Sequence, residues 1–260
     1  MKSVAIVTGA AGGLGKEIVK LIIDDVDELW AIGRNVSKME SLKAELGPQG
    51  EKIVPIQMDL SDTKSYKTLS DKLSKEPQAE IRWLVNNAGA GRFGASKDFS
   101  IDEISISVTT HCAAIASICN ICIPYMKKGD IIMNVASQSA FLPLPYINLY
   151  ASTKAFVFNY TRALKSELKS SGIKVTAVCP GWIKTDLIVD SLNGHKVDYL
   201  FIDTAPHVAK KAVRDARKGK AISINSFPIA CMTWFQRYLP LNASIDVWLN
   251  MVKNYVPVTK

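Results

Sequence analysis

No uninterrupted apolar run in the chain approaches the roughly 18 residues that a helix needs to cross a bilayer. The first apolar stretch, Val4-Ala5-Ile6-Val7, stops at Thr8-Gly9 and is too short for a signal-peptide core. Cysteine is sparse and odd in number: Cys112, Cys119, Cys122, Cys179 and Cys231 lie in apolar surroundings. No second pair or histidine cluster completes a metal site. Reduced thiols, a cytoplasmic location, no bound metal and no transmembrane segment are therefore expected. Internal repeats, low-complexity tracts and convincing linkers are also missing, and 260 residues suffice for one well-filled core. A charged fraction of 22% excludes a disordered chain.

What the chain does have is an excess of base, with 32 Lys and Arg against 24 Asp and Glu, a formal charge of +8. A nucleic-acid binder gathers such charge into a stripe or arm. Here Lys43, Lys72, Lys97, Lys165, Lys184 and Lys253 are scattered, and the densest run, Lys210 to Lys220, is interrupted by Asp215. No nucleic-acid partner is expected.

Seven apolar runs of strand length recur: 3–8, 28–32, 52–58, 81–86, 130–136, 174–179 and 220–224. They are nearly continuous in Val, Ile, Ala and Met, the pattern of strands covered on both faces. Helical spacing separates them, with longer helices expected over about 102–127, 150–171 and 206–218. Gly47-Pro48-Gln49-Gly50 reads as a turn. The alternation predicts an α/β class, a doubly wound Rossmann fold with a seven-stranded parallel sheet and helices on both faces. One domain spans 1–260, with residues 186–204 and a C-terminal apolar extension, 226–260, outside the rhythm.

Thr8-Gly9-Ala10-Ala11-Gly12-Gly13-Leu14-Gly15 joins the first strand to the first helix. Glycine allows backbone angles that a Cβ resists and close approach to a diphosphate, which the helix N-terminus attracts. An NAD site commonly ends the next strand on an acidic residue; this strand ends Ile32-Gly33-Arg34-Asn35, and no acid follows before Glu40. Arg34 offers a planar charged fork to a 2′-phosphate, so NADP is favoured, with NAD still possible. Tyr150 and Lys154 lie four apart in a helical pattern and so share a face. A phenol needs its pKa lowered for neutral-pH proton transfer, and a nearby ammonium does this. Ser137 ends the strand before them.

These residues closely resemble the short-chain dehydrogenase/reductase family in its single-domain form, over roughly residues 3–186. Gly9, Gly13, Leu14 and Gly15 match its cofactor turn, and Asp59-Leu60 its adenine-binding pair. Asn86-Asn87-Ala88-Gly89 matches the motif that braces the central sheet beside the adenine ribose, and Pro180-Gly181 through Ile183 to Thr185 the nicotinamide-side loop. The resemblance implies that Tyr150 is the general acid or base, that Lys154 binds the nicotinamide ribose and tunes the phenol, and that Ser137 polarises the substrate carbonyl. It also implies a homodimer or homotetramer built through the fourth and fifth helices. The family's relay asparagine is replaced: counting back from Pro124 reaches His111, whose imidazole is also able to hold a water.

The family's lid segment is apolar here through Leu187, Ile188, Val189, Leu192, Tyr199, Leu200 and Phe201. The tail adds Phe227, Met232, Trp234, Phe235, Tyr238 and Trp248. Such a lining suits a hydrophobic carbonyl or alcohol, steroid-like or acyl-chain; a subunit interface, packing at the sheet edge and contact with a membrane surface are the other readings of the tail. The expected function is NADP-preferring carbonyl/alcohol interconversion by hydride transfer, against a non-catalytic dinucleotide sensor of the same fold.

Overall fold

The computed structural model describes residues 2–185, 188, 191–192, 195–197, 199, 201–236 and 240–253. Its centre is a parallel sheet of β1 (Lys2–Thr8), β2 (Glu28–Gly33), β3 (Ile53–Gln57), β4 (Ala79–Asn86), β5 (Ile131–Val135), β6 (Lys174–Val178) and β7 (Ile222–Ser223). The order across the sheet is β7-β6-β5-β4-β1-β2-β3. Each strand falls on one of the seven apolar runs, because both faces of the sheet are covered and alternation has nothing to mark.

Successive residues of β1 serve opposite faces. Val4 and Ile6 join a core with Leu69 and Leu73 of α3 (Lys67–Lys75), Ile115 and Ile118 of α4 (Ile101–Tyr125), and Val157 and Leu164 of α5 (Asn148–Glu167). Ala5 and Val7 join another with Ile18 and Val19 of α1 (Gly13–Ile22), Met39 and Leu42 of α2 (Val36–Glu45), and Val208 and Val213 of α6 (Ala205–Arg217). This is the expected doubly wound arrangement. The chain order reverses between β1 and β4, and a ligand crevice opens beyond the strand ends at such a point.

Several details depart from the sequence pattern. Helix α4 starts on a reciprocal cap, with Ser100 Oγ accepting Glu103 N–H and Ser100 N–H donating to Glu103 Oε2. It then contains a π-turn at Thr109–Ala113, an extra residue that apolar periodicity does not reveal. By length and mean hydropathy (1.7), α4 could cross a membrane; its buried Ala114, Ile115, Ile118, Cys119 and Cys122 spend that apolarity on the sheet. The Gly47 turn is a 3₁₀ run, Gly47–Lys52. The tail forms α7 (Phe227–Gln236) and α8 (Leu241–Val252). In the expected lid, Asp203–Thr204 pairs in parallel with Ile183–Lys184, returning the chain to the β6 loop. Leu187, Val189, Leu200 and Tyr238 lie outside the described residues.

Candidate active site

The glycine-rich turn is shaped by the atoms around it. Gly9 is left-handed (φ +64), and its N–H donates to Ile32 O at 2.8 Å. A Cβ on Gly15 would run into Gly9 O and lie 2.7 Å from Asn87 Nδ2, while one on Gly13 would lie 2.7 Å from Thr185 Cγ2. Leu14, buried, anchors the first turn of α1 in the core. Gly12 caps α1 without a side-chain hydrogen bond, so the helix offers its first N–H groups to the crevice. The loop after β4 is fastened to this turn. Thr8 Oγ1 accepts the N–H groups of Asn87 and Ala88 at 3.0 and 3.1 Å, and Asn87 Nδ2 donates to Thr8 O and Gly9 O, both at 3.2 Å. A tight, N–H-rich cradle with no room for a Cβ at Gly9, Gly13 or Gly15 suits a diphosphate.

At the far end of β2, Arg34 is exposed, and its carbonyl accepts Gln57 Nε2 at 3.3 Å. Asp59 accepts Ser61 N–H and Oγ–H at 2.9 and 2.7 Å, bonds that hold its carboxyl below the usual range, with a smaller contribution from the Arg34 charge. Arg34 and Asp59 therefore share one rim.

Across the crevice, Ser137 follows β5 and caps a 3₁₀ turn, Gln138–Phe141, its Oγ accepting Ser139 N–H at 3.1 Å. Its hydroxyl lies close enough to the Tyr150 phenol to favour the ionised form of that phenol. Lys154, one turn along α5, is 3% exposed; its Nζ donates to Val135 O at 2.8 Å and stands 5.6 Å from the Tyr150 ring centroid. The Pro180–Thr185 loop arches over both halves. Pro180 O accepts Gln138 N–H at 2.8 Å, Gly181 N–H donates to Asn225 Oδ1 at 3.1 Å, Ile183 packs with the α1 side of the core, and Thr185 overlies Gly13. Asn225 in turn donates to Asp203 Oδ2 at 2.7 Å. Neither Asn225 nor Asp203 carries a signal in the sequence, since their partners are 44 and 22 residues away.

The sequence profile described as short chain dehydrogenase matches residues 3–195. The chain belongs to that family. An uncharacterized short-chain type dehydrogenase/reductase, y4vI, of Sinorhizobium fredii is 31% identical over 75% of this chain and 35% of its own length. Sulfoacetaldehyde reductase 2 of Chromohalobacter salexigens is 26% identical over 79% of this chain and 83% of its own. The chain thus spans about a third of y4vI and most of the second relative. Among solved structures, a short-chain dehydrogenase from Sphingobium yanoikuyae in complex with NADPH superposes with a TM-score of 0.76 at 20% identity, covering 100% of this chain and 98% of that one. That likeness is one of fold.

Three expectations are corrected within this short-chain dehydrogenase framework. Burial pushes the Tyr150 phenol up from its usual value, with Ser137 opposing, whereas a lowered value was expected. Lys154 turns to Val135 O, and burial pulls its own pKa down to about 8, so desolvation is the largest influence on both groups. Second, His111 does not present a free ring nitrogen for a water. Its Nε2 accepts Ala90 N–H at 3.1 Å, and Nδ1–H faces Thr153 Oγ1 at 3.0 Å, which itself donates to Tyr150 O at 2.8 Å. The imidazole instead braces the β4 loop against α5. Third, the Leu60 side chain turns inward and is buried in the core, while Asn86 braces the sheet from within, its Nδ2 donating to Asn134 Oδ1 at 2.8 Å. Ala88 and Gly89 stay at the crevice, with Gly89 so near that a Cβ would lie 2.8 Å from His111 Nε2 and 3.3 Å from Lys154 Nζ.

The buried imidazole has a consequence for stability. Burial, aided by the Lys154 charge, lowers the His111 pKa to about 3. Below pH 6.5 the unfolded chain takes up a proton that the folded chain refuses until about pH 3, so this stability is lost as pH falls through that window. Urea unfolding at pH 6.5 and 4.5 is expected to show wild type losing about 2–3 kcal/mol more than His111→Gln. Equal losses would remove His111 as the source.

Proposed function

We propose that the protein is an NADP(H)-preferring oxidoreductase that interconverts a carbonyl and a secondary alcohol on a mostly apolar small molecule, steroid-like or acyl-chain. The observation that carries this reading is the Ser137–Tyr150–Lys154 group set across the crevice from a turn that leaves no room for a Cβ at Gly9, Gly13 or Gly15. Neighbouring structures described in complex with NADPH, NADP and NAD agree with a dinucleotide in that cradle. The whole chain acts as one domain, with 186–204 as lid and 226–260 as extension.

The α1 N-terminus and the Gly9–Gly15 turn fit a diphosphate, and the exposed Arg34 fits a 2′-phosphate. When bound, NADPH supplies a hydride from its nicotinamide. Ser137 Oγ–H donates to the substrate oxygen and orients the carbonyl. Tyr150 Oη–H passes its proton to that oxygen as negative charge develops, which completes the alcohol. The charged Lys154 then stabilises the phenolate until solvent returns the proton. Reduction is the favoured direction where the NADP pool is kept reduced.

Melting temperature is expected to rise more with NADPH than with NADH. Arg34→Asp should weaken NADPH roughly 10- to 100-fold, through loss of charge-assisted bonds and added repulsion, and reverse the preference. A larger shift with NADH in wild type would sink the NADP assignment.

Homo-oligomerisation through α4 and α5 is proposed on their exposed apolar side chains. Ile104, Ile106 and Val108 of α4 and Phe156 of α5 are exposed, and Phe156 stacks on Tyr160 at 5.9 Å. Phe156→Glu is expected to convert the assembly to monomers in light scattering; an unchanged mass would place the interface elsewhere.

A further inference from the structure

Beside the phenol stands a row of aromatic rings that proton transfer does not require. The Phe93 ring lies nearly parallel to two indoles, Trp182 at 6.1 Å and 21° and Trp248 at 6.5 Å and 10°. Tyr199 meets Trp182 edge-on at 4.9 Å. The four rings come from four separate stretches: the β4 loop, the Pro180–Thr185 loop, the lid and α8. Their convergence is a product of tertiary structure alone.

Hydrogen bonds hold the walls of this row, and none holds its middle ring. Trp248 Nε1–H donates to Pro145 O at 2.9 Å, which fixes the indole on α8. The next residue, Tyr146, is left-handed (φ +63), and its carbonyl accepts Gly94 N–H at 2.8 Å. A strained non-glycine residue bonded on both sides is a sign of imposed geometry. Trp182 follows Gly181, whose N–H is tied to Asn225. Phe93, by contrast, has only a phenyl ring to offer, is partly buried, and sits between Gly91 and Gly94. With no polar atom to hold it, the phenyl ring leaves its place by a side-chain rotamer change while Gly91 stays against Tyr150 and Gly94 stays bonded to Tyr146.

The row also adjoins the reacting group. Phe93, Tyr150 and Trp248 pack against one small cluster of Leu144, Ile147 and Ala151. Gly91 rests on the Tyr150 ring so closely that a Cβ would run into Cδ2 and lie 2.7 Å from Cγ. The neighbouring cation, Arg92, is turned aside, with its guanidinium over Phe99 and paired with Glu103 at 3.1 Å. The walls are therefore flat, π-faced and uncharged. An alkyl chain gains only burial from such walls, whereas a flat ring gains offset stacking on each face as well.

We propose that Trp182 and Trp248 form a slot for a flat, conjugated ring of the substrate, which Phe93 fills when no substrate is bound. The preferred substrates are then ketones or alcohols carried on an aromatic ring system, which narrows the mostly apolar substrate of the proposed function and sets aside its acyl-chain and saturated steroid-like examples. The reaction assigned to them rests on the oxidoreductase reading; the ring preference does not.

The test compares 2-acetonaphthone with methyl decalyl ketone, its saturated counterpart. Calorimetric titration of the wild-type protein is expected to give a dissociation constant about tenfold or more lower for the naphthyl ketone. Trp248→Leu should bring that ratio close to one. Phe93→Ala should tighten naphthyl binding about threefold, because no ring has to be displaced, whereas a purely structural Phe93 would weaken it. Equal binding of the two ketones by wild type, or weaker naphthyl binding by Phe93→Ala, overturns the slot. Binding preference without any NADPH oxidation would defeat the oxidoreductase reading and leave the slot standing.

Discussion

Tyr150→Phe is expected to lower carbonyl-reduction turnover roughly a hundred- to ten-thousand-fold, the range a positioned general acid supplies, while NADPH binding changes less than about twofold. The substitution removes one hydroxyl and keeps the ring on which the fold relies. That ring supports Gly91 and meets His111 edge-on at 5.9 Å. What disappears is the proton donor beside Ser137. The pH profile of wild type carries the same signature. Burial holds the phenol protonated above its usual range, so the acid is in place throughout neutral pH. Burial also brings Lys154 to about 8, so the ammonium is present below that pH and lost above it. Reduction should therefore hold steady up to about pH 8 and decline beyond it. Lys154→Met should abolish that limb. Retention of more than a tenth of turnover by Tyr150→Phe would show that another group delivers the proton.

Gly15→Ala is expected to cost about 3 kcal/mol, the upper end of overpacking penalties, and to lower the melting temperature roughly 6–12 °C. The added Cβ meets backbone: it would run into Gly9 O and approach Asn87 Nδ2 to 2.7 Å. Gly9 has little room to yield. Its left-handed φ, its N–H bond to Ile32 O and the Asn87 amide on its carbonyl hold it from three sides. NADPH affinity should fall with the fold, since the same atoms form the cradle. Gly12→Ala is the control, because its nearest neighbour, Gly9 O, is 3.4 Å away, an ordinary contact. Its melting temperature should stay close to wild type. If Gly15→Ala melts with wild type, the turn is more pliant than its contacts indicate.

Much of this architecture is written in local chemistry. Continuous Val, Ile and Ala runs mark β1, β2, β4, β5 and β6 because strands covered on both faces need apolar residues at every position. The glycine turn is legible because only glycine tolerates the Gly9 angle and the Gly15 approach. Tyr150 and Lys154 are legible as a pair because four residues make one helical turn. The imidazole of His111 shows the limit of such reading. Its position is countable, but its role depends on what meets each ring nitrogen, and its two nearest partners come from other elements. Leu60 shows it again, since a motif position does not state which way a side chain turns.

The amino-acid sequence alone thus determined the class of fold, the dinucleotide turn and the residues that face each other across the crevice, because each depends on spacing within one or two elements. The tertiary structure alone decided the charge behaviour of that crevice and the shape of its substrate side. Desolvation, which raises Tyr150 and lowers Lys154, is the sum of everything packed around a group. The Trp182–Phe93–Trp248 row joins residues up to 155 positions apart, and only the folded chain brings those rings within stacking distance.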